Sequence, residues 1–147
     1  MKKELFMIQK SLIIIKPDAV RRGLIGEIIS RFEEKNINIR ALKMLKIRNK
    51  LAENHYAEHK GKEFYDDLIK FITSKNSVAL ILEGENAIPY IRELVGATDP
   101  REAKQGTIRG DFREEPVKSV TENMVHASDS PESAEREISL FFGEKYL

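Results

Sequence analysis

The feature that most constrains the fold is a short apolar run, residues 11–15, which contains three consecutive isoleucines and ends at Lys16 and Pro17. Such a β-branched run predicts a central strand that is buried on both faces. Pro17 lacks the N–H that a sheet requires and restricts Lys16 to an extended backbone, so the strand should end there. A lysine at a strand end is often only solvated, but one held between a buried strand and a proline is a candidate ligand contact.

The periodicity of the remaining sequence predicts alternating strands and helices. Further strands are expected at 37–47, 78–83 and 120–126, and helices at 25–36, 50–60, 63–74, 85–95 and from Pro131 onward, with Ser130 as the N-cap of the last helix. Segments 96–112 and 113–122 are expected to be loops. This order matches a single α/β (α+β) domain over residues 1–147. We predict a ferredoxin-like βαββαβ fold with a four-stranded antiparallel sheet, a helical hairpin insertion and an extended loop before the last strand.

Composition excludes several classes of protein. The 25 basic and 24 acidic residues give a formal charge of +1, which argues against a nucleic-acid-binding surface. The absence of cysteine excludes disulfides and thiolate metal sites, and it is typical of a cytoplasmic protein. No secretory segment is expected from Met1–Glu4, and the longest apolar runs, such as 78–82, are too short to cross a membrane.

A histidine at the end of the last predicted strand is a candidate nucleophile. His126 follows Met124 and Val125, and Pro131 soon opens the last helix. Free backbone N–H groups and the positive end of the helix dipole meet at such a position, which suits reaction with a phosphate. An ordinary strand-to-helix turn with a partly buried histidine has the same local sequence.

Cationic and hydroxyl side chains occur at several separate loops and helix ends. Lys16, Arg92, Thr98 and Arg109 would form a phosphate clamp if the fold brings them together at His126, and otherwise they are solvated surface groups. The chain lacks both the P-loop pattern and Gly-x-Gly-x-x-Gly, so neither a P-loop kinase nor a dinucleotide-binding enzyme is supported.

One competing motif predicts a different enzyme. His55, Glu58 and His59 fit the His-x-x-Glu-His pattern of a class of zinc peptidases, in which two histidines one helical turn apart share the metal and the glutamate is the base. The alternative is a polar helix with two surface histidines.

Six segments, taken together and in order from about residue 11 to residue 142, resemble the nucleoside diphosphate kinase family. They are Lys16 to Glu27 (Lys-Pro-Asp-Ala-Val-Arg-Arg-Gly-Leu-Ile-Gly-Glu), His55 to Phe64, Gly84 to Ala87, Gly96 to Pro100, Gly106 to Phe112 (Gly-Thr-Ile-Arg-Gly-Asp-Phe) and Asn123 to Glu137 (Asn-Met-Val-His-Ala-Ser-Asp-Ser-Pro-Glu-Ser-Ala-Glu-Arg-Glu). The histidine block and the Gly-Thr-Ile-Arg-Gly-Asp-Phe block are highly specific in combination.

The resemblance implies a ping-pong reaction in which the γ-phosphate of a nucleoside triphosphate reaches a nucleoside diphosphate through a phosphohistidine. It assigns the nucleophile to His126, its orienting carboxylate to Glu137 and the support of that carboxylate to Ser128. These roles agree with the chemistry, because a neutral imidazole needs one nitrogen free to attack and the other hydrogen-bonded. A catalytically silent nucleotide-binding regulatory protein is the alternative within this family.

The resemblance also implies how nucleotides bind. The expected phosphate and ribose contacts are Lys16, which also belongs to the catalytic set, Tyr56, Arg92, Thr98, Arg109 and Asn123. Phe64 is expected to stack on the base without reading its edge. Mg²⁺ would arrive on the nucleotide phosphates without a protein cage of its own. Nucleoside di- and triphosphates are thus the expected partners, together with other copies of the chain in a homo-oligomer, a hexamer in preference to a tetramer.

Four departures from the usual family pattern bear on loops. Ala19 and Ala127 stand where glycine is more usual, and Gln105 stands where proline is frequent. The segment 113–122 is a few residues longer than in many members. None removes a chemical group, but the changes at 104–122 bear on loop stability and on subunit contacts.

Overall fold

A computed structural model of the chain describes residues 7–147. Within them lie four strands, β1 (Ile8–Ile15), β2 (Asn38–Leu45), β3 (Ser77–Glu85) and β4 (Val125–Ala127). The α-helices are α1 (Pro17–Arg21), α2 (Ile25–Glu33), α3 (Asn49–His55), α4 (Tyr65–Ile72), α5 (Ala87–Val95), α6 (Ile108–Phe112) and α7 (Pro131–Phe142). Short 3-10 helices occupy Ala57–His59, Pro100–Glu102 and Glu144–Tyr146. The segment Met1–Glu4, from which the absence of a secretory signal is predicted, lies outside the described residues.

The four strands form one antiparallel sheet in the order β2-β3-β1-β4. This order, with helices after β1 and β3, confirms the predicted ferredoxin-like βαββαβ plan. The helical hairpin insertion is also confirmed, since α3 and α4 lie between β2 and β3. None of the helices within 7–147 is long and apolar enough to span a membrane.

The central strand β1 is buried on both faces, as its sequence predicts. Ile13 and Ile15 belong to a core that includes side chains of α1, α2 and α5. Leu12 and Ile14 face the opposite core, which includes side chains of α3, α4 and α7. Because alternate residues of a strand point to opposite faces, one run of isoleucines supplies both cores.

The last helix begins where the sequence predicts. The Oγ atom of Ser130 accepts a hydrogen bond from the N–H of Ser133 at 3.1 Å, and Pro131 takes the first helical position. This cap fixes the start of α7, and therefore the position of Glu137 two turns into the helix.

Two predicted elements are corrected. The strand expected over 120–126 is only Val125–Ala127, because Met124 has a φ of 73°, which a strand cannot contain. The loop expected over 96–112 holds the 3-10 helix Pro100–Glu102 and the helix α6, whose N-cap Thr107 accepts a hydrogen bond from the Gly110 N–H at 3.0 Å. Segment 113–122 has no helix or strand, as expected.

Three helix boundaries also differ from the prediction. The helix expected over 50–60 ends at His55 and is followed by the 3-10 helix Ala57–His59. The helix expected to begin at Glu85 begins at Ala87, because β3 extends to Glu85 and Asn86 turns the chain with a φ of 48°. Helix α2 ends at Glu33, before Asn36, whose φ is 60°.

Candidate active site

The imidazole of His126 lies between three elements. On β4, His126 pairs with Ile14 of β1 and shares the face of the sheet that α3 and α7 cover. Its Nε2 atom is 2.9 Å from Oε1 of Glu137 on α7, and its side chain is 18% exposed. A carboxylate only accepts, so Nε2 carries the proton and Nδ1 keeps its lone pair. The nitrogen with the lone pair is the one that can act as a nucleophile.

Ser128 fixes the carboxylate of Glu137 from a second side. Its hydroxyl donates to the same Oε1 atom at 2.7 Å and accepts from the Leu12 N–H at 2.9 Å. The Ser128 N–H in turn donates to the Leu12 carbonyl at 3.2 Å. The carboxylate that orients His126 is thereby tied to the central strand.

Lys16 reaches the same end of the sheet from β1. Its ammonium donates to Oδ1 of Asn123 at 2.9 Å, and the Asn123 amide donates to the Thr98 carbonyl at 2.9 Å. Burial, and then the charge of Arg109, lowers the pKa of Lys16 from 10.5 to about 7, and Asp18 partly opposes this shift. Lys16 is therefore a buried cation that lacks a full counter-charge, which makes it a strong site for an anion.

Arg109 braces the loop that precedes His126. Its guanidinium donates to the carbonyls of Asn123 at 3.2 Å, Gly96 at 3.0 Å and Val125 at 2.5 Å. Burial, with the nearby charge of Arg92, lowers the pKa of Arg109 to about 10. Three of its five N–H groups serve the backbone, so two remain for a ligand.

Arg92 and Thr98 line an open groove beside this loop. Arg92 donates to the Ala127 carbonyl at 3.2 Å, one residue from His126, while the rest of its side chain is exposed. Thr98 holds Asn123 through its carbonyl, and its hydroxyl makes no hydrogen bond to a described residue. Both side chains can therefore contact a bound phosphate.

Phe64 and Tyr56, the predicted base and sugar contacts, belong to a row of packed aromatic and imidazole rings that ends at His126. Ring centroids are 5.4 Å apart for Phe64 and His59, 6.2 Å for His59 and Tyr56, 4.5 Å for Tyr56 and His55, and 4.6 Å for His55 and His126. Phe64, at the outer end, is 42% exposed. The Tyr56 hydroxyl is buried without a partner among the described residues, and burial raises the pKa of Tyr56.

The zinc-peptidase prediction is wrong, because α3 ends at His55 and does not carry His59 on its next turn. His59 instead lies 3.8 Å from its neighbour Glu58 and 3.2 Å from the ammonium of Lys62. The alternative of two surface histidines is wrong for His55, which is 3% exposed and faces Glu137. Burial, and then the charge of His126, lowers the pKa of His55 well below its usual value.

Two residues at the site were missed by the sequence analysis. The sequence predicts His55 only as a zinc ligand, and it contains Asp18 within the family segment Lys16 to Glu27 without indicating a role for it. The Asp18 carboxylate accepts from the Met124 N–H at 3.1 Å, and burial raises the pKa of Asp18. The only signal for Asp18 was its place directly after Lys16 and Pro17.

The three single-residue departures fit the backbone found here. Ala19, in α1, is fully buried, and Ala127 lies within β4, so neither needs the freedom of glycine. Gln105 is exposed beside Gly106, which has a φ of 96° and closes the turn itself. The predicted effect of Gln105 on loop stability stays a prediction.

The geometry agrees with comparisons to known proteins. A family model described as nucleoside diphosphate kinase matches residues 9–147. The nucleoside diphosphate kinase of Methanobrevibacter smithii is 56% identical over 138 residues, which cover 94% of this chain and 89% of that protein. That of Thermococcus kodakarensis is 56% identical over 140 residues, which cover 95% of this chain and 80% of that protein.

Solved structures give the same result. The Aquifex aeolicus nucleoside diphosphate kinase is 40% identical, with a TM-score of 0.86, over 92% of this chain and 96% of that chain. A halophilic nucleoside diphosphate kinase from Halobacterium salinarum, in complex with CDP, is 41% identical, with a TM-score of 0.88, over 95% of this chain and 90% of that chain. Sequence, fold and site agree over nearly the whole chain, which therefore belongs to the nucleoside diphosphate kinase family.

Proposed function

We propose that this chain transfers the γ-phosphate of a nucleoside triphosphate to a nucleoside diphosphate through a phosphohistidine on Nδ1 of His126. The observation that carries this proposal is the hydrogen bond from Nε2 of His126 to Glu137, which leaves a lone pair on Nδ1. A half-buried imidazole in this state is a nucleophile that the solvent can reach.

The reaction has two steps, and in each of them one bond to phosphorus forms while another breaks. In the first, the lone pair of Nδ1 forms a bond to the γ-phosphorus, and the bond from that phosphorus to the β-phosphate oxygen breaks, releasing a nucleoside diphosphate. The ring gains positive charge, which the Glu137 carboxylate stabilises through the N–H of Nε2. In the second, a terminal oxygen of another nucleoside diphosphate attacks the phosphorus, and the P–N bond breaks.

The cations around His126 suit phosphate binding. Phosphoryl transfer depends on positioning and on charge neutralisation, and Lys16, Arg92 and Arg109 can supply both. Tyr56, Thr98 and Asn123 offer polar groups for the sugar or the phosphates, and Phe64 offers an exposed ring for the base. The CDP bound to the related halophilic protein supports a nucleotide at this site.

We further propose that Mg²⁺ enters with the nucleotide. The buried carboxylates near His126 already bind protein groups, since Asp18 accepts from Met124 and Glu137 accepts from His126 and Ser128. A cage of protein oxygens for Mg²⁺ is therefore not formed by the described residues around His126, which suits an ion held by phosphates. When bound, the ion neutralises charge on the phosphates.

Three further predictions remain proposals for this chain. They are its organisation as a single domain over residues 1–147, its cytoplasmic location, and its assembly as a homo-oligomer, a hexamer in preference to a tetramer. The match of the family model over residues 9–147 supports the first.

The test is to incubate the protein with γ-labelled ATP and Mg²⁺ and to examine the stability of the protein-bound label. We expect an acid-labile, alkali-stable label that added GDP discharges, and no label on His126→Ala. His59→Gln is the matched control, because it removes a histidine outside the contacts of His126 and should still take the label. Nucleotide binding without label would favour the silent regulatory alternative, and label on His126→Ala would show that the nucleophile is another residue.

A further inference from the structure

His55 has a polar atom that the proposed reaction does not use. It lies at the end of α3, is 3% exposed, and its Nδ1 atom is buried without a hydrogen-bond partner. Oε2 of Glu137 lies 4.0 Å from this atom, which is too long for a hydrogen bond. Burying an unpaired polar atom costs free energy, so an atom in this position needs an explanation.

His55, His126 and Glu137 come together from α3, β4 and α7. Each offers one ligand atom, two imidazole nitrogens and one carboxylate oxygen, and these atoms all lie within 4.8 Å of one another. Glu137 already contacts both histidines, His126 at 2.9 Å through Oε1 and His55 at 4.0 Å through Oε2. The packing of the His55 ring against His126 at 4.6 Å and Phe141 at 5.4 Å holds it in this orientation.

We propose that His55, His126 and Glu137 form a binding site for a Zn²⁺-type divalent ion, separate from the Mg²⁺ that the nucleotide carries. Two imidazoles and a carboxylate are a ligand set that suits Zn²⁺ and Co²⁺, whereas Mg²⁺ requires oxygen ligands. Bonds of about 2.0–2.2 Å to such an ion require only short shifts of side chains that already lie this close. Three protein ligands leave one position of the ion for water.

The surrounding charges limit the affinity of this site. Arg136 lies 3.9 Å from Oε2 of Glu137, and a bound cation would have to displace it. The Arg136 side chain is 43% exposed, so its guanidinium can turn toward solvent. The hydrogen bonds of Arg136 go instead to the carbonyls of Asn54 and His55, at the C-terminal end of α3.

Metal at this site would block phosphorylation, a consequence that rests on the proposed function. The nitrogen of His126 that faces Glu137 is Nε2, which must lose its proton to bind the ion. In a neutral imidazole that proton then resides on Nδ1, which loses the lone pair needed to attack phosphorus. The same imidazole therefore cannot hold the metal and accept a phosphoryl group.

The first experiment measures metal binding without nucleotide. We would titrate the purified protein with Co²⁺, follow the visible absorption of the low-coordinate ion, and then add Zn²⁺ to displace it. We expect one ion per chain. Affinity should fall roughly tenfold or more for His55→Gln and for Glu137→Gln, with folding checked by circular dichroism. His59→Gln, the matched control, should bind Co²⁺ as the unaltered protein does.

The second experiment tests the block. Phosphoramidate serves as the phosphoryl donor, because it carries no nucleotide that could chelate the metal. Zn²⁺ at one equivalent should suppress phosphorylation of His126, and a chelator should restore it. Absence of Co²⁺ binding, or its loss in His59→Gln and not in His55→Gln, would overturn the site whether or not the protein transfers phosphate. Zn²⁺ that binds through His55 yet leaves phosphorylation unchanged would overturn the block.

Discussion

The carboxylate of Glu137 and the imidazole of His126 are joined at 2.9 Å across the junction between β4 and α7. The N-cap at Ser130 sets where α7 begins, and Ser128 ties the same carboxylate oxygen to β1. The orientation of the nucleophile is thus fixed by the helix start and by the central strand together. The His126 ring is aligned before any nucleotide binds, which is what a group that must attack in line requires.

Glu137→Gln should lower the rate of phosphohistidine formation by roughly 10- to 100-fold, because an amide keeps the shape but loses the charge that stabilises the ring as it becomes positive. Glu135→Gln is the control, since Glu135 is exposed on the same helix. Single-turnover labelling with ATP measures both rates. Equal rates for the two variants would show that the charge of Glu137 has no part in the reaction.

The strands and most helices of this fold were predictable, because their apolar periodicity is local. The three isoleucines alone predict β1, and the pair Ser130 and Pro131 alone predicts the start of α7. The start of β4 was not predictable, since Met124 has a positive φ and its N–H is held by the Asp18 carboxylate, which is over a hundred residues away in the chain. No local pattern shows that contact.

The site itself was predictable in its residues but not in its contacts. The family motif predicts Arg109 as a phosphate contact, yet the guanidinium also donates to the backbone carbonyls of Gly96, Asn123 and Val125. The burial of His55 is decided by the packing of α3 on α7, which a polar helical pattern does not reveal. The residue types of the site could therefore be predicted from the sequence, whereas their burial and hydrogen bonds depend on tertiary contacts and could not.

The buried Lys16 should make folding stability depend on pH. Its pKa is about 7 in the folded protein and near 10.5 when exposed, so between these values the unfolded chain binds more protons. The contribution of Lys16 to the free energy of unfolding should therefore rise with pH across this window, by up to about 1.4 kcal/mol per pH unit, and be constant below pH 7. Urea unfolding of the protein and of Lys16→Met from pH 6 to pH 10 measures it. The difference between the two should change across the window, and a constant difference would contradict the prediction.

The lowered pKa of Lys16 should also weaken nucleotide capture at high pH. Above about pH 7 the free protein loses the Lys16 charge, so kcat/KM should fall as pH rises through that value. Bound phosphates favour the charged lysine, so kcat should persist to higher pH. Lys16→Arg, which stays charged, should remove the inflection in kcat/KM even if its overall rate is lower. An unchanged inflection in that variant would assign it to another group.

Gly110 is required where α6 meets the preceding loop. A Cβ atom there would collide with the Lys104 carbonyl, which is backbone and cannot turn aside. Gly110→Ala should therefore destabilise the protein by about 1–3 kcal/mol and loosen the packing of α6, which carries Arg109, against the preceding loop. Gly26→Ala is the matched control, because Gly26 lies in α2 with open space around it and alanine favours helix by up to about 1 kcal/mol. Thermal unfolding of both variants should show shifts of opposite sign.

The edge of the sheet provides a test of self-association. Strand β2 is at one edge, and Leu42 and Met44, two residues apart on it, are 51% and 54% exposed. An open strand edge with apolar side chains is suited to contact with another copy of the chain. We therefore expect light scattering to give a mass that is a multiple of 16.9 kDa, with six copies favoured over four.

The double variant Leu42→Glu with Met44→Glu should lower that mass, because it places charge on both apolar positions. Leu147→Glu is the control, since Leu147 is 49% exposed but lines a different cleft, beside Ile8 of β1, and should leave the mass unchanged. A monomeric unaltered protein would contradict the homo-oligomer. If the double variant leaves the mass of the oligomer unchanged, the contact between copies lies elsewhere. Val120→Glu would then test the 113–122 segment, which lies in the region that we expect to decide between hexamer and tetramer.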